Sequence, residues 1–400
     1  MKHFRPRLSR RAFWVLCALL VCLRLALTGF QQAYIWVGGA PLDDELMFRA
    51  ANHITAGQWL GAYDYLTLSK AMFFPVWLAL LHALHLPYLI SGAALWCGAA
   101  LLAAFAFSTL WRKKDPAQGR VLTLGLFAVL AFLPSSWAAY TLRVYRDNIF
   151  PALCLYFFAG MAGMALRAVF TPERPLWPWL AAAGAGLACG YLDREDAGLF
   201  LLPFAAAATV IVAVILAGKR RWKALAAQVI PYVMLGVGVL TFCTLNYTHY
   251  GVFALSDFSE GSFAAAMGAM MRVDTDSTAP YLSVPADARK KIYGAVPELE
   301  PLAYWLEEDA QLQNDFRDPN LDDYRAGSFY WAIRRAAQFE GIYADAKTAD
   351  AYWQTVADKI NAACDTGTLP SRTGRRVATS QPISAAYVPS TLAETWNGFW

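Results

Sequence analysis

Between Ala12 and Tyr247 the chain strings together apolar stretches long enough to cross a membrane, joined by short polar connections. A run of roughly 20 apolar residues satisfies its backbone hydrogen bonds internally as a helix and buries its side chains in lipid. The fold class that follows is an all-α polytopic membrane protein. Composition agrees, since 58% of the 400 residues are apolar and only 16% are charged, with a mean hydropathy of +0.34. Charge is divided unevenly. Residues 1–250 hold 21 of the 34 Lys and Arg but 10 of the 30 Asp and Glu, so this part is about +11 and the remainder about −7. The natural cut lies near Tyr250, giving a transmembrane module over 1–250 and a polar, acidic region over 251–400.

The expected spans are 12–30, 88–110, 121–139, 149–170, 177–192, 197–216 and 224–247. Lys2, Arg5, Arg7, Arg10 and Arg11 precede the first, which is long for the core of a secretory signal and reads as an uncleaved helix. Arg24 inside it is an anomaly that either snorkels to the surface or faces the bundle as a phosphate-binding candidate. The stretch 72–86 is apolar but about 15 residues long, with Pro75 near its start and His82 and His85 near its end. Taken as an interfacial segment, it leaves seven spans, and short basic loops should then gather on the cytoplasmic side. They do: the N-terminus, Arg112-Lys113-Lys114 with Arg120, Arg167 with Arg174, and Lys219-Arg220-Arg221 with Lys223 fall together. Asp43-Asp44-Glu45, Asp147, Asp193 to Asp196 and the whole C-terminal region fall on the opposite, outer face.

Carboxylates gathered on one face are candidates for chemistry there. Asp43, Asp44 and Glu45 precede Leu46, Met47, Ala50, Ala51 and Ile54, the pattern of an amphipathic helix ending near Gly57. Acidic residues in a first turn serve as caps; alternatively, one caps while another faces a cavity as a general base. Lys70 is an interfacial anchor or a ligand for a lipid phosphate. Arg143, Arg146 and Asp147 crowd five residues, either binding an anionic group or pairing among themselves. Asp193, Arg194, Glu195 and Asp196 pose the same choice between a local salt-bridge cluster and part of a site.

Elsewhere the sequence is less committed. Six of the seven cysteines lie in apolar stretches as packing residues, and no zinc spacing or disulfide framework is visible. Helix-like stretches in the polar region are 263–271, 285–293, 298–308, 329–339 and 344–364, with aromatics read as core more than as sugar-stacking surface. Asp318-Pro-Asn320-Leu-Asp322 imitates the start of a calcium loop but lacks the sixth-position Gly and carries Phe329 where a Glu is required, so it reads as a turn. Asn246-Tyr-Thr248 matches the short glycosylation acceptor pattern. From 366 to 390, Thr, Ser and Pro with Gly367 and Gly374 suggest a loose tail.

The order of parts resembles the GT-C superfamily of integral-membrane glycosyltransferases. One span, an outer loop opening with an acidic pair, an amphipathic segment, a Lys70…Phe73-Phe74-Pro75 lead-in to an interfacial helix, and a second outer loop with Asp147 carry the resemblance over roughly residues 10–250. It implies a GT-C-like seven-helix transmembrane module with outer-face amphipathic helices, followed by a mainly α-helical extracytoplasmic region. It further implies transfer of a sugar from a polyprenyl-phosphate carrier to a lipid or cell-envelope glycan acceptor, at a bacterial inner membrane and without nucleic acid. By position, Asp43 or Asp44 is the base and Asp147 orients the acceptor or a divalent ion. Lys70, Arg146 and Arg194 face the carrier phosphate, with Arg143, Glu45, Glu195 and Asp196 also in the substrate site; Arg194-Glu195-Asp196 resembles a recurrent element of bacterial members. Carboxylates suit Mg or Mn, with Asp44 and Asp147 as the ligands if a metal is used, though no tight ligand spacing accompanies them. The chain departs from the superfamily in lacking a Trp-Trp-Asp signature and additional spans, as a minimal form or one cut short at Trp400 would. The rival readings are a non-catalytic polyprenyl-phosphate-binding protein and a lipid or solute transporter. Charges at helix ends and the lack of a visible repeat weigh against the transporter.

Overall fold

Ser9 opens the first helix, its hydroxyl accepting from the Ala12 amide at 3.1 Å in place of a missing helical partner. The computed structural model describes residues 7–36, 41–111, 115–277, 279, 281–372 and 388–399; Lys2, Arg5 and Arg112 to Lys114 lie outside them. α1 (Arg10–Thr28) is followed by α2 (Pro41–Thr55) and α3 (Phe73–Ala83), then by the long α4 (Tyr88–Ser108). Asp115 caps α5 (Pro116–Ala131) by accepting from the Ala117 and Gln118 amides. The one-turn α6 (Ala139–Leu142) leads to α7 (Phe150–Phe170), α8 (Trp177–Asp193), α9 (Gly198–Gly218), the short α10 (Trp222–Ala227) and α11 (Ile230–Tyr250).

Five of these are long and apolar enough to cross a membrane: α1, α4, α7, α9 and the α10–α11 stretch Trp222–Tyr250. The chain is a predominantly helical membrane protein. At 11 residues α3 reaches only about 16 Å, half the hydrocarbon thickness, and cannot span it. α8, with 17 residues, matches the short stretch expected at 177–192, whereas α5, with 16, is shorter than the span expected at 121–139. The 121–139 expectation is corrected: the helix stops at Ala131, because Pro134 disfavours helical backbone at Leu133 and starts a 3-10 turn over Pro134–Trp137.

Lipid provides no hydrophobic drive between helices, so close backbone packing takes its place. α7 and α8 show it best. A Cβ added to Gly160 would stand 2.7 Å from the Trp179 carbonyl, and one added to Gly186 would stand 2.6 Å from the Leu153 carbonyl. Phe157, Met161 and Met164 of α7 and Ala183 and Leu187 of α8 are buried around this seam. Phe13, Cys17, Cys97 and Phe127 form a second core joining α1, α4 and α5. All seven cysteines are free thiols.

The chain divides into two compact units, residues 1–62 with 66–256, and residues 63–65 with 257–400. The second unit is built from α12 (Gly261–Met270), α13 (Ala286–Ala295), α14 (Glu300–Glu307), α15 (Ala310–Phe316), α16 (Ala326–Phe339), α17 (Ala346–Asp365) and α18 (Val388–Phe399). α15 and α18 were not legible in the apolar pattern. Trp353 of α17 packs edge-on against Phe263 of α12, and Ala349, Val356 and Ile360 share its buried face. The Asp318–Asp322 segment is a turn, closing a two-stranded hairpin of Arg317–Asp318 and Asp323–Tyr324, with the Asp318 carboxylate accepting from the Asn320 amide at 2.8 Å. The looseness expected from 366 is corrected for 366–372, where Ser371 bridges Val273 and the Asp274 amide donates to the Pro370 carbonyl; residues 373–387 lie outside the described residues. Asn246 is buried in α11, where its side chain accepts from the Trp59 indole and donates to the Ala254 carbonyl, so its acceptor pattern serves packing.

Candidate functional site

Four places of the first unit meet: the start of α2, the segment before α3, the loop before α7 and the loop after α8. Pro41 starts α2 and sets Asp43 and Asp44 in its first turn. Leu46, Met47, Ala50 and Ala51 turn inward, which fixes the helix's rotation about its axis. The two aspartates then diverge. Asp44 is 1% exposed: Arg143 grips its Oδ1 from Nη2 and from Nε at 2.9 Å, and the Trp36 amide donates to Oδ2 at 2.6 Å. Asp43 keeps 26% of its side chain exposed, with Lys70 Nζ 3.1 Å from Oδ1 and the Tyr145 hydroxyl donating to Oδ2 at 3.2 Å. Both carboxylates lie in the first turn of α2, and each also reaches a partner outside that helix.

Tyr145 links this pair to the loop after α8. Arg146 Nη2 donates to the Tyr145 hydroxyl at 2.8 Å, while Nη1 reaches Glu195 at 2.8 Å and the Asp193 carbonyl at 3.0 Å. Glu195 also accepts from the Ala71 amide at 2.6 Å, tying the residue next to Lys70 into the same network. Arg194 pairs with Asp147 at 2.9 Å and Asp196 at 3.0 Å. Local pairing of Arg143 and Arg146 with Asp147 is therefore corrected, because each guanidinium reaches a different connection. The backbone enforces this: Tyr34 and Arg143 form a parallel bridge, and the Tyr88 hydroxyl donates to the Arg143 carbonyl at 2.8 Å. Glu45 is not brought into the network, being 56% exposed and facing Arg49 one turn along.

Burial and charge set the protonation states. Burial pushes the Tyr145 phenol up, and Asp43 adds to it against the opposing pull of Arg146, so Tyr145 stays a proton donor. Burial also works against the Glu195 carboxylate, but Arg146 and the Ala71 amide outweigh it and hold this carboxyl below its usual range. Asp193 shows the opposite balance. It ends α8 beyond the apolar stretch, fully buried, with neither carboxylate oxygen hydrogen-bonded; burial pushes it well above the usual carboxylate range despite Arg146 and Arg194. The folded chain thus holds this proton to higher pH than the unfolded chain does. Stability from this group is greatest in acid, below about pH 4, and falls as pH rises through the folded-state value. Asp193→Asn is expected to remove that fall, so melting temperatures of the two proteins measured from pH 5 to 8 should diverge. Parallel pH profiles would show that Asp193 ionises freely.

The arrangement offers one partly exposed carboxylate between an ammonium and a phenol, backed by buried guanidinium groups. Among the described residues no three His, Cys, Asp or Glu side chains converge as a metal site. A Mg or Mn ion at Asp44 and Asp147 would first have to displace Arg143 and Arg194. Tyr145 and the Ala71 amide were missed in the sequence; a tyrosine between two arginines was the available signal for the first. Compared with known proteins, the chain matches no family model, no curated protein and no solved structure.

Proposed function

We propose that the protein is a membrane glycosyltransferase that moves a sugar from a polyprenyl-phosphate carrier to a lipid or cell-envelope glycan acceptor. The observation that carries this reading is the division of labour between adjacent aspartates: Asp44 is sealed by Arg143, whereas Asp43 stays accessible beside Lys70 and Tyr145. Asp43 is the base in this scheme. It takes the acceptor hydroxyl proton as that oxygen bonds to the anomeric carbon, and the carbon–oxygen bond to the carrier breaks with its electron pair leaving on phosphate. One displacement inverts the anomeric centre. Lys70 is drawn from Asp43 to the phosphate as the donor binds, and Arg146 and Arg194 supply further positive charge at an interface with little water to stabilise a leaving group. Asp147 orients the acceptor through its contact with Arg194, and Glu195 and Asp196 hold the arginines in place.

The same reading counts α5 and α8 with the five longer helices as a GT-C-like seven-helix module. It sets the carboxylate network and the C-terminal region on the outer face of a bacterial inner membrane, because the basic loops then share the inner face. The test is transfer in membranes expressing the protein, supplied with radiolabelled polyprenyl-phosphate sugars and lipid or glycan acceptors. Label is expected in the acceptor with inverted anomeric configuration. Carrier lipid bound without transfer to any acceptor would instead favour a binding protein.

A further inference from the structure

Arg24 carries a charge that no carboxylate among the described residues answers. It lies in α1 one turn before the helix ends, 3% exposed, with its guanidinium 3.3 Å from the centre of the Trp137 ring. Nη2 donates to the Ser136 carbonyl at 2.7 Å, but Nε and Nη1 find no acceptor. No carboxylate pairs with it among the described residues. A buried cation without a counter-charge is among the costliest groups a membrane helix can hold, and such residues mark ligand or ion sites.

The space beside it is shaped for a small polar group. Arg24, Thr28, Gln31, Ser136, Thr141 and Asn148 line a cavity of about 50 Å³, and the Asn148 side-chain oxygen is also buried without a donor. That volume is several times the roughly 10–15 Å³ one water needs. Water can satisfy the orphaned N–H groups but cannot neutralise the charge.

We infer that this pocket binds one phosphate group, carried by an anionic lipid or supplied as free phosphate. Nε and Nη1 donate to two phosphate oxygens, the paired geometry that suits guanidinium to phosphate. Gln31 offers a further donor, while the Thr28 hydroxyl is committed to the Arg24 carbonyl at 2.9 Å, and a protonated phosphate oxygen can give its hydrogen to Asn148. The pocket uses residues other than Asp43 and Lys70, so its occupancy does not rest on sugar transfer.

The test compares the full chain, Arg24→Met and Asp43→Asn in nanodiscs of phosphatidylcholine, with and without phosphatidylglycerol or added inorganic phosphate. The wild-type melting temperature is expected to rise with phosphatidylglycerol, native mass spectrometry to retain that lipid, and Asp43→Asn to behave alike. Arg24→Met should bind roughly tenfold or more weakly, since it loses two charge-assisted hydrogen bonds. A rise with inorganic phosphate alone assigns the pocket to the free anion. No rise with either probe, or an equal rise in Arg24→Met, overturns the inference. Should Arg24→Met fail to fold, Gln31→Leu replaces it, and unchanged binding in that variant overturns the inference.

Discussion

Asp43→Asn is expected to lower sugar transfer by about 10²- to 10⁴-fold, the usual contribution of a positioned general base. Asparagine keeps the shape and can still accept from Tyr145, but at neutral pH it takes no proton from an acceptor hydroxyl. Stability should change little, because a partly exposed pair such as Asp43–Lys70 contributes about 1 kcal/mol or less. Initial rates in membranes, at matched amounts of folded protein, measure the effect directly. Wild-type rates in Asp43→Asn would remove the base from the proposed chemistry. Carrier lipid should still bind, which separates a lost proton acceptor from a lost site.

Arg143→Met has its large effect on folding. It leaves Asp44 buried with the Trp36 amide as its remaining hydrogen-bond partner among the described residues, and stranding one member of a buried pair costs about 3–5 kcal/mol. Removing both charges should recover much of that, since an apolar pair of similar volume needs no desolvation. Thermal unfolding of Arg143→Met, Asp44→Leu and the double variant in detergent forms the cycle that tests this. Additive losses would mean that the two side chains stabilise the fold separately. Arg143 also stacks 4.2 Å from the Tyr145 ring centre, so its loss should loosen the residue that donates to Asp43.

What could be read in the sequence was whatever depends on neighbours along the chain. The apolar stretches at 88–110, 149–170 and 197–216 became α4, α7 and α9 within a few residues, because lipid burial and backbone hydrogen bonding are local demands. The brevity of 72–86 was legible for the same reason. The overrun at 121–139 came from weighting apolar length above Pro134. Pairing was less accessible. Arg143, Arg146 and Asp147 are nearly adjacent, yet their partners are Asp44, Glu195 and Arg194, and only the crossing of the connections decides this. Burial of Asp193 was hidden too: one residue past an apolar run it resembles any loop acid, while the fold encloses it completely.

The ion pairing of the network has a further consequence for any anionic ligand. Four cations, Lys70, Arg143, Arg146 and Arg194, are matched by five carboxylates, Asp43, Asp44, Asp147, Glu195 and Asp196. An incoming phosphate therefore meets no surplus of positive charge and must compete with carboxylates already in place. In the proposed scheme Lys70 is the cation that changes partner, which leaves Asp43 ionised to act as the base. Anion binding would then be an exchange of ion-pair partners rather than capture by free cations, so a site crowded with charge would select ligands by how well they replace a carboxylate.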